Sequence, residues 1–181
     1  MMMEQIHREH GYMVRLLAIL KSNWNALNDE KSINYSLLKE IVDYLSTHSE
    51  SVHHPKEDIL YRYFSERYPD SAKVKDLQIE HQELSEKTQD FIVTVEMILQ
   101  DAVVPQDVFI AQLEAFIQNQ KQHLDYEEKE IFPLIKSTFT TQDWQEVESQ
   151  WQRSDDDPVF GDNIADRYKQ LAEIVRQVKK E

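Results

Sequence analysis

Two short stretches of the sequence share one pattern. Residues 53 to 57 read His-His-Pro-Lys-Glu and residues 123 to 127 read His-Leu-Asp-Tyr-Glu, so each is H-x-x-x-E. On a helix, residues four apart point the same way, separated by about one turn of roughly 5.4 Å. One helix then offers an imidazole nitrogen and a carboxylate oxygen together. A carboxylate also bridges two ions, which holds a dinuclear centre together, and imidazole with carboxylate suits iron, manganese and zinc. A lone match arises by chance; a pair of them in a chain with only seven histidines carries more weight. His10 and His81 add to it. Each falls among aliphatic neighbours on the inward stripe of its helix, where an imidazole without a partner is costly. Taken alone, either is equally well a core histidine bonded to a buried carbonyl.

The elements that must position these residues are helices. Hydrophobic spacing has the helical period nearly everywhere, and with 2 Gly and 5 Pro the chain has few places to turn. A first helix is expected from Glu4 to Leu27, with Ile6, His10, Met13, Leu17, Leu20, Trp24 and Leu27 inward. A second runs from Asn34 to Ser65, with Leu38, Ile41 and Leu45 inward and a kink at Pro55. After a break at Tyr68-Pro69-Asp70-Ser71, which also supplies a cap, a third runs from Ala72 to Gln100. Its stripe is Val74, Leu77, His81, Leu84, Thr88, Phe91, Val95 and Ile98. Pro105 sits where the first turn of a helix tolerates proline. The fourth helix carries Phe109, Leu113, Phe116, Gln120, His123, Glu127, Ile131 and Leu134. A short helix from Thr140 to Trp151, a loop at Asp155 to Gly161 and a last helix from Asn163 complete the chain.

These elements predict an all-α, up-down-up-down four-helix bundle over residues 1–137. Residues 138–181 form a helical extension too short for a core of its own, expected to pack on the bundle or on a partner. In such a bundle the starts of odd helices and the ends of even ones share one end. His10 and His81 lie near starts; His53 with Glu57, and His123 with Glu127, lie near ends. The six side chains therefore fall at one height, about two turns in. Independent core histidines would not predict that convergence, which disfavours a metal-free helical interaction module.

Bulk properties narrow the function. The formal net charge is −14, so phosphate backbones and anionic membranes are poor partners. With no cysteine, disulfides, thiolate catalysis, iron–sulfur clusters and thiolate zinc sites are excluded. No apolar stretch is long enough to span a membrane. The N-terminal MMMEQIHREHGY lacks the apolar core of a signal peptide, so cytoplasm is the expected location.

Over residues 4 to 137 the sequence resembles the hemerythrin-like proteins, known for histidine–histidine–glutamate cation-binding motifs. The matching pieces are Glu9-His10, His53-His54-Pro55-Lys56-Glu57-Asp58, Glu80-His81, and His123 with Glu127-Glu128, followed by Ile131-Phe132-Pro133. The stretch Asp157-Pro158-Val159-Phe160-Gly161 is similar to bacterial members with a C-terminal extension. The resemblance implies a non-heme di-iron centre held by His10, His53, Glu57, His81, His123 and Glu127, with the two glutamates as bridges. Oxygen-carrying members add a histidine one turn after the helix-three ligand, where this chain has Ser85. The set then has four histidines rather than five, and one metal keeps an open position. That departure favours the bacterial members linked to nitric oxide, peroxide or oxygen sensing and iron handling.

Residues beside these six have weaker claims as ligands. His54 should point about 100° away from His53 on an ideal helix, and only His53 has the four-residue spacing to Glu57. Helical register favours Glu127 over Glu128. His7 is expected at the surface or behind a ligand, and His48 to be solvated or packed. Gln120 orients a ligand or caps the polar layer; Tyr61 and Tyr126 are expected to pack. The expected function is binding or sensing of O2, NO or a peroxide by two iron ions, in a monomer or homodimer. The same ligands accept zinc or manganese. The alternatives are a redox enzyme acting on peroxide or repairing nitrosatively damaged iron centres, and iron storage or donation.

Overall fold

The computed structural model describes residues 1–69, 74, 76–151 and 157–178, apart from the side chains of Glu50 and Val178. Among these residues there are helices and turns and no strand, so the protein is all-α. Helix α1 spans Met2–Asn28, with Ile6, Met13, Leu17, Leu20 and Leu27 buried as the stripe predicts; Trp24 is half-buried. A turn with Glu30 at φ 57° leads to Asn34, whose side chain accepts from the Leu37 amide at 3.0 Å and caps α2 (Tyr35–His48).

The expected second helix is not one continuous α-helix. It passes through a wide π turn, Ser49–His53, into α3 (His54–Arg67). Proline lacks an amide donor and its ring crowds the carbonyl one turn back; a widened turn just upstream relieves both. The expected start of the third helix at Ala72, and the cap at Asp70 and Ser71, lie outside the described residues. Helix α4 runs over Leu77–Leu99. Pro105 stands at the N-cap of α5 (Gln106–Tyr126), one place before the position expected for it. A second π turn, Glu127–Ile131, interrupts the expected fourth helix and leads into α6 (Phe132–Thr138), with Pro133 in its first turn.

Thr140 and Asp143 cap α7 (Thr141–Ser149) reciprocally. A 3-10 turn at Asp166–Tyr168 precedes α8 (Lys169–Val178), so the last helix begins later than Asn163. The Tyr168 hydroxyl donates to Asp43 at 3.0 Å, the Leu171 amide to Glu40 at 2.9 Å, and Arg15 to the Val175 carbonyl at 3.0 Å. Asp157, just before this segment, accepts from Tyr44 at 2.8 Å.

Two apolar clusters fill the interior. One joins Leu17, Leu20, Leu38, Ile41, Phe91, Val95, Leu113 and Phe116 with Tyr168, Leu171 and Val175. The other joins Met2, Ile6, Leu60, Phe64, Leu77, Phe132, Ile135 and Val147. Each buried aliphatic or phenyl side chain is worth about 1.5–3 kcal/mol against exposure. The clusters leave a polar layer between them, where α1, α3, α4 and the α5–α6 run meet. No described helix is long and apolar enough to cross a membrane.

Candidate metal centre

The polar layer brings the six expected side chains together, all buried: His10, His53, Glu57, His81, His123 and Glu127 are 0–8% exposed. The Nε2 atoms of His10 and His53 lie 3.0 and 3.2 Å from Glu57 Oε1. His81 Nε2 lies 3.5 Å from the other oxygen of the same carboxylate and 3.4 Å from Glu127 Oε1. Glu127 Oε2 lies 3.3 Å from His123 Nε2 and 3.5 Å from His10 Nε2. Glu57 thus turns one oxygen toward His10 and His53 and the other toward His81; Glu127 turns one toward His81 and the other toward His123 and, less closely, His10.

His54 joins them. The π turn ends at His53, and its neighbour turns to the opposite half of the centre. The His54 ring stacks on His81 with centroids 4.1 Å apart and planes at 10°, and lies 5.9 Å from His123. Donor atoms of His54, Glu57, His81 and His123 converge within 4.8 Å, as do those of His10, His53 and Glu57. The divergence of adjacent side chains, which argued against His54, is what turns His53 and His54 toward two different groups of donor atoms.

Each helical run also contributes an acid beside its inner residue, and that acid reaches a histidine on another run. Glu9 meets His53 Nδ1 at 2.7 Å, Asp58 meets His81 Nδ1 at 3.0 Å, and Glu128 meets His10 Nδ1 at 2.9 Å. Glu80 stands 3.9 Å from His123 Nδ1, a looser approach. A carboxylate that accepts from Nδ1–H fixes the tautomer and leaves Nε2 free to ligate. Glu9 also accepts from buried Lys56 at 2.5 Å, and Glu128 pairs with His7 at 2.8 Å. Tyr61 donates to Glu127 Oε1 at 2.6 Å. Gln120 donates to Thr88 at 3.0 Å, capping the polar layer. His48 packs against Tyr44, ring centroids 5.0 Å apart, away from the centre.

The electrostatics call for cations. Burial disfavours a charged His10, yet Glu128 and Glu57 outweigh it and raise its pKa to about 10. His81 is likewise raised to about 10, burial being outweighed by Asp58 and Glu127. Burial also opposes charge on His53, and Glu57 and Glu9 overcome it. His54 moves the other way, well down, through burial and then the charge of His81. Burial lowers His123, against the pull of Glu127. Glu57 is held well below the usual carboxylate range despite burial, by His53 and His10. Glu9 is held down to about 2, His53 and Lys56 outweighing its burial.

Three observations test whether these groups suit a metal. His10 and His53 point their Nε2 atoms at each other 2.9 Å apart and at Glu57, while their Nδ1 atoms face carboxylates, a convergence that a proton satisfies in the metal-free protein and a metal ion can replace. Glu57 Oε2, Glu127 Oε2 and His123 Nε2 are buried with no hydrogen-bond partner; the contacts of 3.3–3.5 Å noted above lack the directionality of hydrogen bonds. Unpaired buried acceptors are costly. The donor set, imidazole with carboxylate, is that of iron, manganese and zinc. The groups fit a metal site.

Two features escaped the sequence. Ideal helix geometry turns His54 away from Glu57, and nothing local in the sequence marks the π turn that brings it inward. The bracing acids were visible as Glu9-His10, Glu57-Asp58, Glu80-His81 and Glu127-Glu128, but spacing alone did not give them a role. A family model for the hemerythrin HHE cation-binding domain matches residues 1–135. No curated protein and no solved structure gives a match.

Proposed function

Because the chain belongs to the hemerythrin HHE cation-binding family, we propose that its polar layer holds two iron ions and that the protein binds or senses O2, NO or a peroxide there. The observation that carries this reading is the pair of buried carboxylates: Glu57 faces His10 and His81 at 3.0 and 3.5 Å, and Glu127 faces His81 and His123 at 3.4 and 3.3 Å and His10 at 3.5 Å. His10 and His53 would serve one ion; His54, His81 and His123 would serve the other; the two glutamates would join them. Iron held by such a set supplies reversible binding of small ligands and one-electron exchange between ferrous and ferric states; zinc or manganese suits the same donors.

The protein's own groups aim and enclose the site. Glu9, Asp58 and Glu128 hold three imidazoles with Nε2 inward, and Tyr61 fixes one oxygen of Glu127. Phe132 stacks on His10 at 5.4 Å and excludes water from that side. His54 changes where a small ligand would bind. It supplies an imidazole on the His81 side, where Ser85 does not, so the half with two imidazoles, His10 and His53, has fewer protein donors and takes the exogenous ligand.

The test is anaerobic reconstitution with ferrous iron, followed by metal analysis and by spectra before and after O2, NO and H2O2. Two irons per chain and a stable adduct are expected. Saturation at one iron per chain would sink the dinuclear centre. Fast turnover of H2O2 would move the assignment from sensor or carrier to enzyme.

A further inference from the structure

A groove of about 380 Å³ runs along the surface between α4 and α5. Glu80, Glu83, Lys87, Gln122, Tyr126 and His123 line it. His123 is the link between this groove and the centre, because it borders both. Its Nε2 is buried and lacks a hydrogen-bond partner, and the residue is only 8% exposed.

The four bracing acids differ in a way that singles out this corner. Glu9 is 6% exposed at its side chain, Asp58 and Glu128 are each 35% exposed, and all three sit within 3.0 Å of their imidazoles. Glu80 is 47% exposed and stands 3.9 Å from His123. Three of the rings are therefore pinned by short charge-assisted contacts, and His123 is not. A pinned imidazole must break such a contact to turn; His123 breaks none at Nδ1. The groove beside it carries two carboxylates against one lysine, which attracts cations and repels anions.

We propose that divalent metal enters the centre through this groove, drawn in by Glu80 and Glu83 and passed inward as the His123 ring turns between groove and centre. The proposal rests on the metal-binding reading of the polar layer and adds the route by which that layer fills. It also separates two paths: cations approach along the α4–α5 groove past His123, while the exogenous ligand binds on the far half, beside His10 and His53.

The experiment measures how fast metal-free protein withdraws ferrous ion, under anaerobic conditions, from a coloured ferrous chelator, and how much iron it finally holds. Glu83→Lys reverses a groove charge without touching any group of the centre. Gln122→Trp narrows the groove without changing charge. Asp107→Lys makes the same charge change at the opposite end of α5. The expected result is uptake slowed about tenfold or more by Glu83→Lys at low salt, the scale of electrostatic steering, and slowed severalfold by Gln122→Trp. Both should reach the wild-type end point, and Asp107→Lys should load at nearly the wild-type rate. At high salt the Glu83→Lys deficit should shrink while the Gln122→Trp deficit persists. Unchanged uptake rates in both groove variants, with full final iron, would overturn the route and leave the metal centre standing. A loss of final iron in both would overturn it too, by assigning the groove to the site itself. A wild-type chain that takes up no iron would defeat the metal reading, and the route with it.

Discussion

The two helical runs that carry an H-x-x-x-E pair are built alike and used differently. In both, a π turn is followed by one residue and then a proline: Ser49–His53 before His54-Pro55, and Glu127–Ile131 before Phe132-Pro133. In the first run the π turn comes before the pair is complete, ends on His53, and brings the next residue, His54, against His81. In the second it begins on Glu127, after His123, and the next residue, Glu128, turns to His10 and His7. One widened turn adds an imidazole beside the inner carboxylates; the other adds an outer acid. Where the extra residue falls relative to the pair decides which neighbour it recruits. The uninterrupted helices, α1 and α4, each contribute a single inner histidine.

The largest effects should come from the residues the two runs share. Glu57→Ala and Glu127→Ala each remove a carboxylate that faces both halves, and each should abolish the second iron and weaken the first, with the helical circular dichroism mostly retained. Full iron occupancy in both variants would refute the bridging assignment. Metal bound by the folded state alone stabilises it by about 4 kcal/mol when free metal is a thousandfold above Kd. At roughly 2–4 °C per kcal/mol for a chain of this size, chelation should lower Tm by about 8–16 °C, and the two alanine variants should already melt near that lower temperature.

The next contrast separates the recruited neighbours. His54→Ala should cost one iron or weaken it at least a hundredfold on the three-histidine half. Glu128→Ala, acting through His10 and partly exposed, should weaken metal binding only about tenfold, the low end for an outer-shell partner. Adding Ser85→His to His54→Ala should restore the iron, since α4 is regular there and places residue 85 one turn past His81. Equal losses from His54→Ala and Glu128→Ala would erase the distinction between the two π turns.

Proton release sharpens it further. Without metal, His10 and His81 have pKa values raised to about 10 and His53 is also raised, whereas His54 and His123 are lowered. Ligands must shed their protons to bind metal. Loading at neutral pH should therefore release protons from His10 and His81, measured with an indicator dye, and this release should fade as pH rises through about 10. His54→Ala should keep the release from the His10 half; His10→Ala should reduce it. The stability of the metal-free fold follows the same direction. A histidine raised above its unfolded value of about 6.5 stabilises the metal-free fold fully below that pH and ceases to as pH passes about 10.

The parts of the molecule governed by period were legible in the sequence. Stripes such as Ile6, Met13, Leu17 and Leu20 predicted both the helices and their inward faces, and helical spacing with alternating direction predicted the meeting of His10, Glu57, His81 and Glu127. What failed was the assumption of an unbroken 3.6-residue period. It excluded His54, and it missed the π turn at Glu127, because a π turn is set by how the flanking segments pack. Leu60 and Phe64 downstream are held in one apolar cluster while Ile41 and Leu45 upstream are held in the other. The chain between them must absorb the mismatch, and no local propensity announces where.

The same reasoning gives the smallest expected effect. Pro55 and Pro133 are both exposed, and each follows its π turn by two residues. If the prolines imposed the wide turns, Pro55→Ala would let the run close to a regular helix, rotating His54 out of the centre, and would copy His54→Ala. Closing the turn, however, would shift every later residue of the run by about 100°, taking buried Leu60, Tyr61 and Phe64 out of the core at about 1.5–3 kcal/mol each. The gain from one relaxed turn does not approach that. Pro55→Ala and Pro133→Ala should therefore both keep two irons per chain and move stability by about 1 kcal/mol or less, the scale of a proline's effect on the unfolded chain. Metal analysis and thermal melts of the two variants side by side check this. A loss of iron in Pro55→Ala alone would show that proline, and not packing, sets the first turn, and that the two runs differ in how they are held as well as in what they recruit.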